Sequence, residues 1–234
     1  MSDSALPLGS FAFSSGLESY LAHTKPKSSF ATFLELSLAS YASTTLPFVL
    51  AAYREPLELV ELDDIQDAAI MCTVARRASV AQGRALLSIW DRSIRSAVPV
   101  DASVEVSNIL KDFSILLRST PSNHSASNDL PIASAHLGPL FGVIANVLGL
   151  SVQQTAYVFM LSHVKALLSA AVRASMFGPY QAQKILASVG VQDEISNVIK
   201  KEWQTKVEDA GQVIPVMDLW VGRHEMLYSR IFNS

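Results

Sequence analysis

The sequence predicts an all-α protein, one domain of about eight to ten helices over residues 1–234 in a bundle-like arrangement. Three observations support this fold class. Apolar residues recur at helical spacing along most of the chain, and no alternating run of useful length indicates a β-strand. Half of the 234 residues are apolar and 17% are charged, which supports a substantial core. No internal repeat indicates a solenoid.

The first half of the chain carries three helical signals. One amphipathic stripe is formed by Phe30, Phe33, Leu34, Leu38 and Tyr41. A second helix is predicted over 46–54, entered through Pro47 near its first turn. Residues 62–94 begin with acidic side chains and gain arginines later, as the helix dipole favours. Because Gly83 interrupts this segment, we expect two helices there, or one with a weak point.

The second half continues the helical pattern. Residues 104–119 predict a helix, and 119–130, rich in Ser, Asn and Pro, predict a solvated loop that contains His124. Ser151 and Gln154 form a capping box that starts a long helix ending near residue 176. A short helix is expected within 177–190. Another is expected within 192–211, ended by Gly211.

Residues 131–150 raise the question of a membrane span, because this 20-residue stretch lacks Asp, Glu, Lys and Arg. Against a span stand His136, the Gly138–Pro139 pair, Asn146 and the absence of flanking Lys or Arg. We therefore expect a buried helix of a soluble protein, with no membrane association.

Composition and motif content exclude several function classes. The net charge is −3 and no block of Lys or Arg occurs, so nucleic acid is not an expected partner. The single cysteine, Cys72, cannot form an internal disulfide, and the N-terminus does not resemble a signal peptide. No phosphate-binding loop, zinc-protease motif, nucleophile elbow or Cys-x-x-Cys pair occurs. The five histidines show no ligand spacing, so we expect no metal site.

A few side chains have two interpretations each. His163, on the apolar stripe of the long helix, is either a core histidine bonded to a backbone carbonyl or a metal-relay or switch residue. His136 is either a helix-start residue bonding nearby backbone or a functional group. Arg173 either complements the helix dipole or has an assigned partner. Cys72 is expected to be a small buried hydrophobe. An enzyme using His163 as the acid and Arg173 as an anion anchor is the alternative function.

Both chain ends carry side chains suited to contacts. In the N-terminal arm, residues 1–20, Pro7 and Gly9 predict a turn, and Phe11 and Phe13 provide aromatic rings. The C-terminal tail, residues 221–234, reads "VGRHEMLYSRIFNS" and keeps aromatic, basic and apolar residues almost to its end. Chain ends are usually frayed unless something holds them. We therefore predict that both ends are anchored and form a docking surface.

Both ends also resemble one family. "LPLGSFAFSSGLES" resembles the opening motif of the urease accessory protein F (UreF) family, and "RHEMLYSRIFNS" resembles that family's C-terminal ending. Between them, "RASVAQGRALL", "HLGPLFGVIANVLGL" and "AAVRASMFGPYQAQKIL" match family segments in the same order. The chain is thus identified as a member, and "MFGPY" places it nearest the plant and fungal branch.

The resemblance implies a non-catalytic role in urease maturation. Family members are all-α, dimerise, and assemble with urease accessory protein D (H in some species) and with the GTPase accessory protein G. The assembly delivers nickel to apo-urease, and the F component regulates the GTPase. The resemblance thus implies a homodimer in the complex, no resident cofactor and only transient passage of Ni²⁺. It also implies a cytoplasmic protein, with the nucleus as the alternative.

The resemblance also assigns residues. The partner-facing motifs correspond to Gly9, Phe11, Ser14, Gly16, Glu18 and Tyr20 in the arm and to His224, Tyr228, Ser229, Arg230 and Phe232 in the tail. The tail is expected to order when the D partner docks, with Arg230 making charge-assisted bonds near the arm. Tyr228 and Phe232 would supply interface area. Arg173, Gly178 and Pro179 are expected to be GTPase-facing or structural. The helix after Ser151 corresponds to the dimer contact.

Overall fold

The computed structural model describes residues 10–24, 28–98, 104–119 and 133–233, and these ranges contain ten α-helices and no β-strand. The helices are α1 Leu17–Thr24, α2 Phe30–Arg54, α3 Leu59–Ala69, α4 Thr73–Ile89, α5 Val104–Ser119, α6 Leu137–Val147, α7 Val152–Arg173, α8 Pro179–Leu186, α9 Val189–Glu202 and α10 Pro215–Arg223. Short turns flank them at Ser10–Ala12, Pro56–Glu58, Trp90–Ile94, Arg95–Ala97, Val207–Asp209 and His224–Met226. The all-α prediction is confirmed.

Helix α2 runs through the centre of the core and packs on α6, α7 and α9. It packs most extensively on α6, whose Leu140, Val143 and Ile144 are fully buried. A Cβ on Gly142 of α6 would lie 2.3 Å from the Val49 carbonyl oxygen of α2, so only glycine lets the two backbones approach this closely. Helix α6, which lies within the uncharged stretch, is therefore the inner layer of the fold.

Pro47 lies inside α2, and the prediction of a separate helix over 46–54 was wrong. Proline lacks the N–H that would bond the carbonyl four residues earlier, here that of Ser43. In the structure the Ser43 carbonyl instead accepts the N–H of Gly211 at 3.2 Å. The helix continues because a distant segment satisfies the free carbonyl. Gly211 does not end α9, which stops at Glu202.

The segment 62–94 divides into α3 and α4, but the break lies at residues 70–72 and not at Gly83. The carbonyl of Ile70, which ends α3, accepts a bond from the Arg76 guanidinium at 3.1 Å. Gly83 lies in the middle of α4, where a Cβ would lie 2.1 Å from the Ala135 carbonyl oxygen. The absence of a side chain at Gly83 allows α4 to pack closely against the segment that precedes α6.

That preceding segment is fixed by buried polar groups. The fully buried Asp63 carboxylate accepts the backbone N–H groups of Ser134, Ala135 and His136 at 2.6, 3.0 and 2.6 Å. The buried His136 ring lies 3.0 Å from the Ser79 hydroxyl and 2.9 Å from Asp67. His136 thus lies at the start of a helix, as the sequence indicated. Its ring contacts the side chains of Ser79 and Asp67, whereas we expected it to bond to nearby backbone groups.

The capping box of α7 is confirmed. The Ser151 hydroxyl accepts the Gln154 N–H at 3.2 Å, and the Gln154 side chain accepts the Ser151 N–H at 2.8 Å. The helix ends at Arg173, slightly earlier than predicted. In the described part of the chain, α2 and α7 are long and apolar enough to cross a membrane, and both are mostly buried in the fold. Residues 120–130 of the predicted loop, with His124, lie outside the described residues.

Candidate partner-binding site at the joined chain ends

The two ends of the chain bind each other. The Asn233 N–H donates to the Ala12 carbonyl at 2.7 Å. The Glu18 carboxylate accepts the backbone N–H groups of Ile231 and Phe232 at 2.7 and 3.2 Å. We call residues 10–20 and 221–233, joined by these bonds, the clasp. These hydrogen bonds hold the tail in place with the chain's own residues, as the anchored-end prediction required. The tail is thus ordered in the single chain, and the expectation that it orders only when the D partner docks was wrong.

The arm begins α1 through a tight turn. Ser15 and Gly16 adopt positive φ angles of 49° and 86°, a region that favours glycine. A Cβ on Gly16 would lie 3.1 Å from the Val221 backbone nitrogen, so the turn lies directly against α10. The buried Ser14 accepts the Leu17 N–H through its carbonyl at 3.0 Å. Ser14 and Gly16 therefore shape the arm and are not free contact residues.

Tyr20 joins the arm to the core. It is 5% exposed, and its ring lies edge-on to Trp220 of α10 at 4.8 Å and 5.1 Å from Phe33 of α2. Its hydroxyl donates to the Ser29 carbonyl at 3.1 Å. Trp220 was not identified from the sequence, because nothing local connects it with a residue 200 positions earlier.

The tail is held from inside by a buried histidine. His224 is fully buried, and its Nε2 lies 3.0 Å from the Phe232 carbonyl oxygen. Its Nδ1 lies 3.7 Å from Glu18 Oε2. Phe232 is 4% exposed, and the Arg173 guanidinium lies 4.4 Å from the centre of its ring, a cation–π contact. The structure thus gives Arg173 an assigned partner, and that partner is an aromatic ring.

Arg230 does not anchor the tail as the sequence suggested. Its side chain is exposed and makes no hydrogen bond or ion pair with the described residues, whereas Glu18 supplies the bonds to the arm. An exposed charged side chain gains little free energy from being held in one ion-pair geometry. Backbone N–H groups beside a carboxylate form charge-assisted hydrogen bonds with it, which are stronger. The Arg77 hydrogen bond and charge lower the pKa of Glu225, and the positive charge of Arg230 adds a smaller effect in the same direction.

The outer face of the clasp exposes large apolar side chains. Tyr228 is fully exposed, Met226 is 80% exposed and Ile231 is 65% exposed. Helix α10 adds Leu219, and the neighbouring α3–α4 junction adds Met71 at 85% exposure. An ion pair between Arg77 and Glu225 ties α4 to the tail turn within this area. Several large apolar side chains exposed within one short segment are typical of a protein-binding surface.

The partner-facing residues assigned from the resemblance therefore separate into two groups. Ser14, Gly16, Tyr20, His224 and Phe232 lie inside the clasp, as does most of Glu18. Tyr228, Ser229 and Arg230 lie on its exposed side. Gly9 and the side chain of Phe11 lie outside the described residues.

His163 is a core histidine with a side-chain partner. Its Nε2 lies 2.9 Å from the Ser37 hydroxyl, not from a backbone carbonyl, and its ring stacks on Tyr41 at 4.0 Å. Burial lowers the pKa of His163 to about 3. His163 and Arg173 both line a cavity of about 390 Å³ between α7, α8 and the arm. A histidine that burial keeps neutral at pH 7 is a poor general acid.

The remaining candidates lie at the surface or half-buried. Gly178 and Pro179 are exposed at the start of α8, with Pro179 in its first turn. Cys72 is half-buried at the start of α4, 3.8 Å from where a Cβ on Gly222 would lie, so it is not the fully buried hydrophobe expected. No group of three or more His, Cys, Asp or Glu that could hold a metal ion occurs among the described residues.

Comparison with known proteins extends these observations. The profile of the family described as UreF matches residues 24–190. A Schizosaccharomyces pombe protein described as an uncharacterized urease accessory protein UreF-like is 37% identical and aligns with 100% of this chain and 94% of its own length. Urease accessory protein F of Oryza sativa subsp. indica is 30% identical over 98% of this chain and 81% of that protein. The Arabidopsis thaliana urease accessory protein F is 30% identical over 99% of this chain and 89% of that protein. The family resemblance inferred from the five motifs is confirmed.

Proposed function

Because the chain belongs to the UreF family of urease accessory proteins, we propose that it is a non-catalytic subunit that acts in urease maturation by binding other accessory proteins. The observation that carries the proposal is the clasp. Two chain ends more than 200 residues apart are held together by Glu18, His224 and Phe232. This arrangement fixes an exposed apolar face at a position where most proteins have a frayed terminus.

The D (or H) accessory protein is the proposed occupant of that face. Tyr228 would be the central contact, since a fully exposed tyrosine offers large apolar area and a polar hydroxyl at low entropic cost. Met226 and Ile231 would surround it, and the exposed Arg230 guanidinium would be available to a partner carboxylate or carbonyl. Because the tail is already held, binding would spend little free energy on ordering it.

The GTPase accessory protein is proposed to contact the start of α8. Gly178, Pro179 and the 91% exposed Tyr180 form a largely uncharged surface there. Arg173 would be structural, since its guanidinium lies directly over the Phe232 ring. The contact would regulate GTP hydrolysis. A homodimer formed along α7 would place two such surfaces in one assembly.

Nickel is proposed to be cargo of the assembled complex on its way to apo-urease. The chain itself would provide a scaffold and hold the ion only in passing, with no resident cofactor of its own. We propose the cytoplasm as the site of action, with the nucleus as the alternative.

Co-expression with candidate D and G proteins, followed by size and composition analysis, tests the proposal. Tyr228→Ala is expected to weaken recovery of the D protein at least tenfold, the effect of losing an interface hot spot. Tyr180→Ala is the matched control, since it removes another highly exposed tyrosine that lies on α8, outside the clasp, and is expected to leave D binding unchanged. Deleting residues 225–234 should abolish binding while circular dichroism still reports a helical protein. Undiminished recovery of the D protein with the deleted chain would refute the proposed site.

A further inference from the structure

The polar cluster around His136 has the geometry of a serine–histidine–aspartate triad. The Ser79 hydroxyl oxygen lies 3.0 Å from His136 Nδ1, and His136 Nε2 lies 2.9 Å from Asp67 Oδ1. Asp67 also pairs with Arg76 at 3.6 Å, and an ionised carboxylate only accepts hydrogen bonds. In the neutral ring, the Nε2–H therefore donates to Asp67, and the Nδ1 lone pair faces the Ser79 hydroxyl. Triads are identified by this geometry and not by sequence position.

The serine of this cluster faces an open cavity. Ser79 lines a cavity of about 350 Å³ between α2, α4 and α10. Met71, which is 85% exposed, also lines it, so the cavity reaches the protein surface. A cavity of this volume is large enough for a small molecule. We propose that Ser79 is a nucleophile activated by His136 and Asp67, and that this site hydrolyses small apolar carboxylic esters.

A second serine–histidine pair lines the same cavity and lacks the third member. The Ser37 hydroxyl lies 2.9 Å from His163 Nε2. The His163 ring stacks on Tyr41, and no carboxylate contacts it within the described residues. Ser37 is 2% exposed, whereas Ser79 is partly exposed. Of the two pairs, only Ser79 and His136 combine an orienting carboxylate with access to the cavity.

The backbone holds His136 in place. Ala135, directly before it, has a φ of 72°, a left-handed conformation that is costly for a residue with a Cβ. The three N–H bonds of this segment to the Asp63 carboxylate maintain that conformation. Backbone strain of this kind is concentrated at functional sites. Its effect here is to keep the His136 ring between Ser79 and Asp67.

The reaction needs water as its only co-substrate. Ser79 Oγ attacks the ester carbonyl carbon while His136 Nδ1 takes the hydroxyl proton. The bond between the carbonyl carbon and the alcohol oxygen breaks, and the alcohol leaves with the proton from His136. Water then attacks the acyl-serine with His136 as the base, which releases the carboxylic acid and restores Ser79.

Gln82 provides a donor for the oxyanion of this reaction. It lies one turn after Ser79 on the same face of α4 and lines the same cavity. Its side-chain Nε2 donates to the Ala78 carbonyl at 3.3 Å, and this bond uses one of the two N–H groups of the amide. The second N–H is available to the charge that develops on the carbonyl oxygen.

The lining of the cavity determines the class of ester. Among the described residues it contains no lysine or arginine, and its one carboxylate is Asp218. A negatively charged substrate would therefore find no cation there. Apolar side chains form much of the wall: Ala69, Ile70, Ala75, Ala78, Met217 and Val221. A neutral ester with a short apolar acyl group fits this lining best.

Labelling of the full-length chain with an alkyl fluorophosphonate tests the nucleophile. This reagent phosphonylates an activated serine with loss of fluoride and leaves ordinary serines unmodified. Mass spectrometry of peptides from the unaltered chain should place the adduct on Ser79. Hydrolysis of p-nitrophenyl butyrate, followed by release of nitrophenolate, should be about 100-fold or more slower in Ser79→Ala and about tenfold or more slower in Asp67→Asn. Ser37→Ala is the matched control and should leave labelling and hydrolysis unchanged.

The site of the adduct is determined on the unaltered chain, so this result does not depend on the folding of any variant. Circular dichroism shows whether each variant keeps its helices. An unlabelled Ser79 would overturn the proposal, as would hydrolysis that Ser79→Ala retains or that Ser37→Ala abolishes. The inference does not rest on the proposed function, since both assays use this chain alone. The activity would be additional to the scaffold role in urease maturation.

Discussion

Gly83→Ala is expected to destabilise the protein even though alanine is the better helix former. The added Cβ would lie 2.1 Å from the Ala135 carbonyl oxygen, 2.7 Å from the His136 carbonyl carbon and 2.8 Å from the Leu137 nitrogen. All three are backbone atoms, so no side-chain rotation relieves the clash. Either α4 or the segment held by Asp63 must move by about 1.4 Å to bring the 2.1 Å contact to an ordinary distance near 3.5 Å.

The magnitude follows from two opposing effects. Overpacking a tight interior costs about 1–3 kcal/mol, and a clash with backbone belongs at the upper end of that range. Alanine regains about 1 kcal/mol of helix propensity relative to glycine. The expected net loss is therefore about 2 kcal/mol in the free energy of unfolding. For a chain of this length such a loss lowers Tm by roughly 4–8 °C.

Urea and thermal unfolding followed by circular dichroism measure the effect. Gly190→Ala is the matched control, because Gly190 lies in α9 and a Cβ there would meet no atom within 4 Å. That control should be neutral or slightly stabilising. If Gly83→Ala proved as stable as Gly190→Ala, the close approach of α4 to the segment before α6 would be refuted.

Two further predictions concern buried polar groups. The pKa of His163 is lowered to about 3 in the folded chain. Below about pH 6.5 the unfolded chain therefore takes up a proton that the folded chain does not, and the free energy of unfolding decreases as the pH is lowered. His163→Gln should reduce this fall between pH 6.5 and 5 by up to about 1.4 kcal/mol per pH unit, and urea unfolding at the two pH values gives the comparison; an unchanged slope would contradict the neutral, buried histidine. Asp63→Ala leaves three backbone N–H groups without their acceptor, and it should lower the free energy of unfolding by about 3 kcal/mol or more. The exposed neighbour Asp64→Ala should stay within about 0.5 kcal/mol of the unaltered protein by the same assay, and equal stability of the two variants would contradict the anchoring role of Asp63.

Local signals in the sequence predicted much of the fold. The Ser151–Gln154 capping box, the stripe that starts with Phe30 and the uncharged inner helix all depend on residues within one or two helical turns of each other. Such interactions can be predicted from the types and spacing of neighbouring residues. Where the sequence failed, at Pro47 and Gly83, the deciding atom belonged to a segment more than 50 residues away, the Gly211 N–H for one and the Ala135 carbonyl for the other.

The sequence by itself determined that this protein is helical, that both its ends are built for contacts and which family it resembles, because residue type and spacing carry that information. Only the tertiary structure decided that the two ends hold each other, that Glu18 and not Arg230 is their anchor, and that Arg173 lies over Phe232. These contacts join residues 59 to 214 positions apart. Nothing in a local pattern specifies such a pairing, since it arises only when the core brings α1, α7 and α10 together.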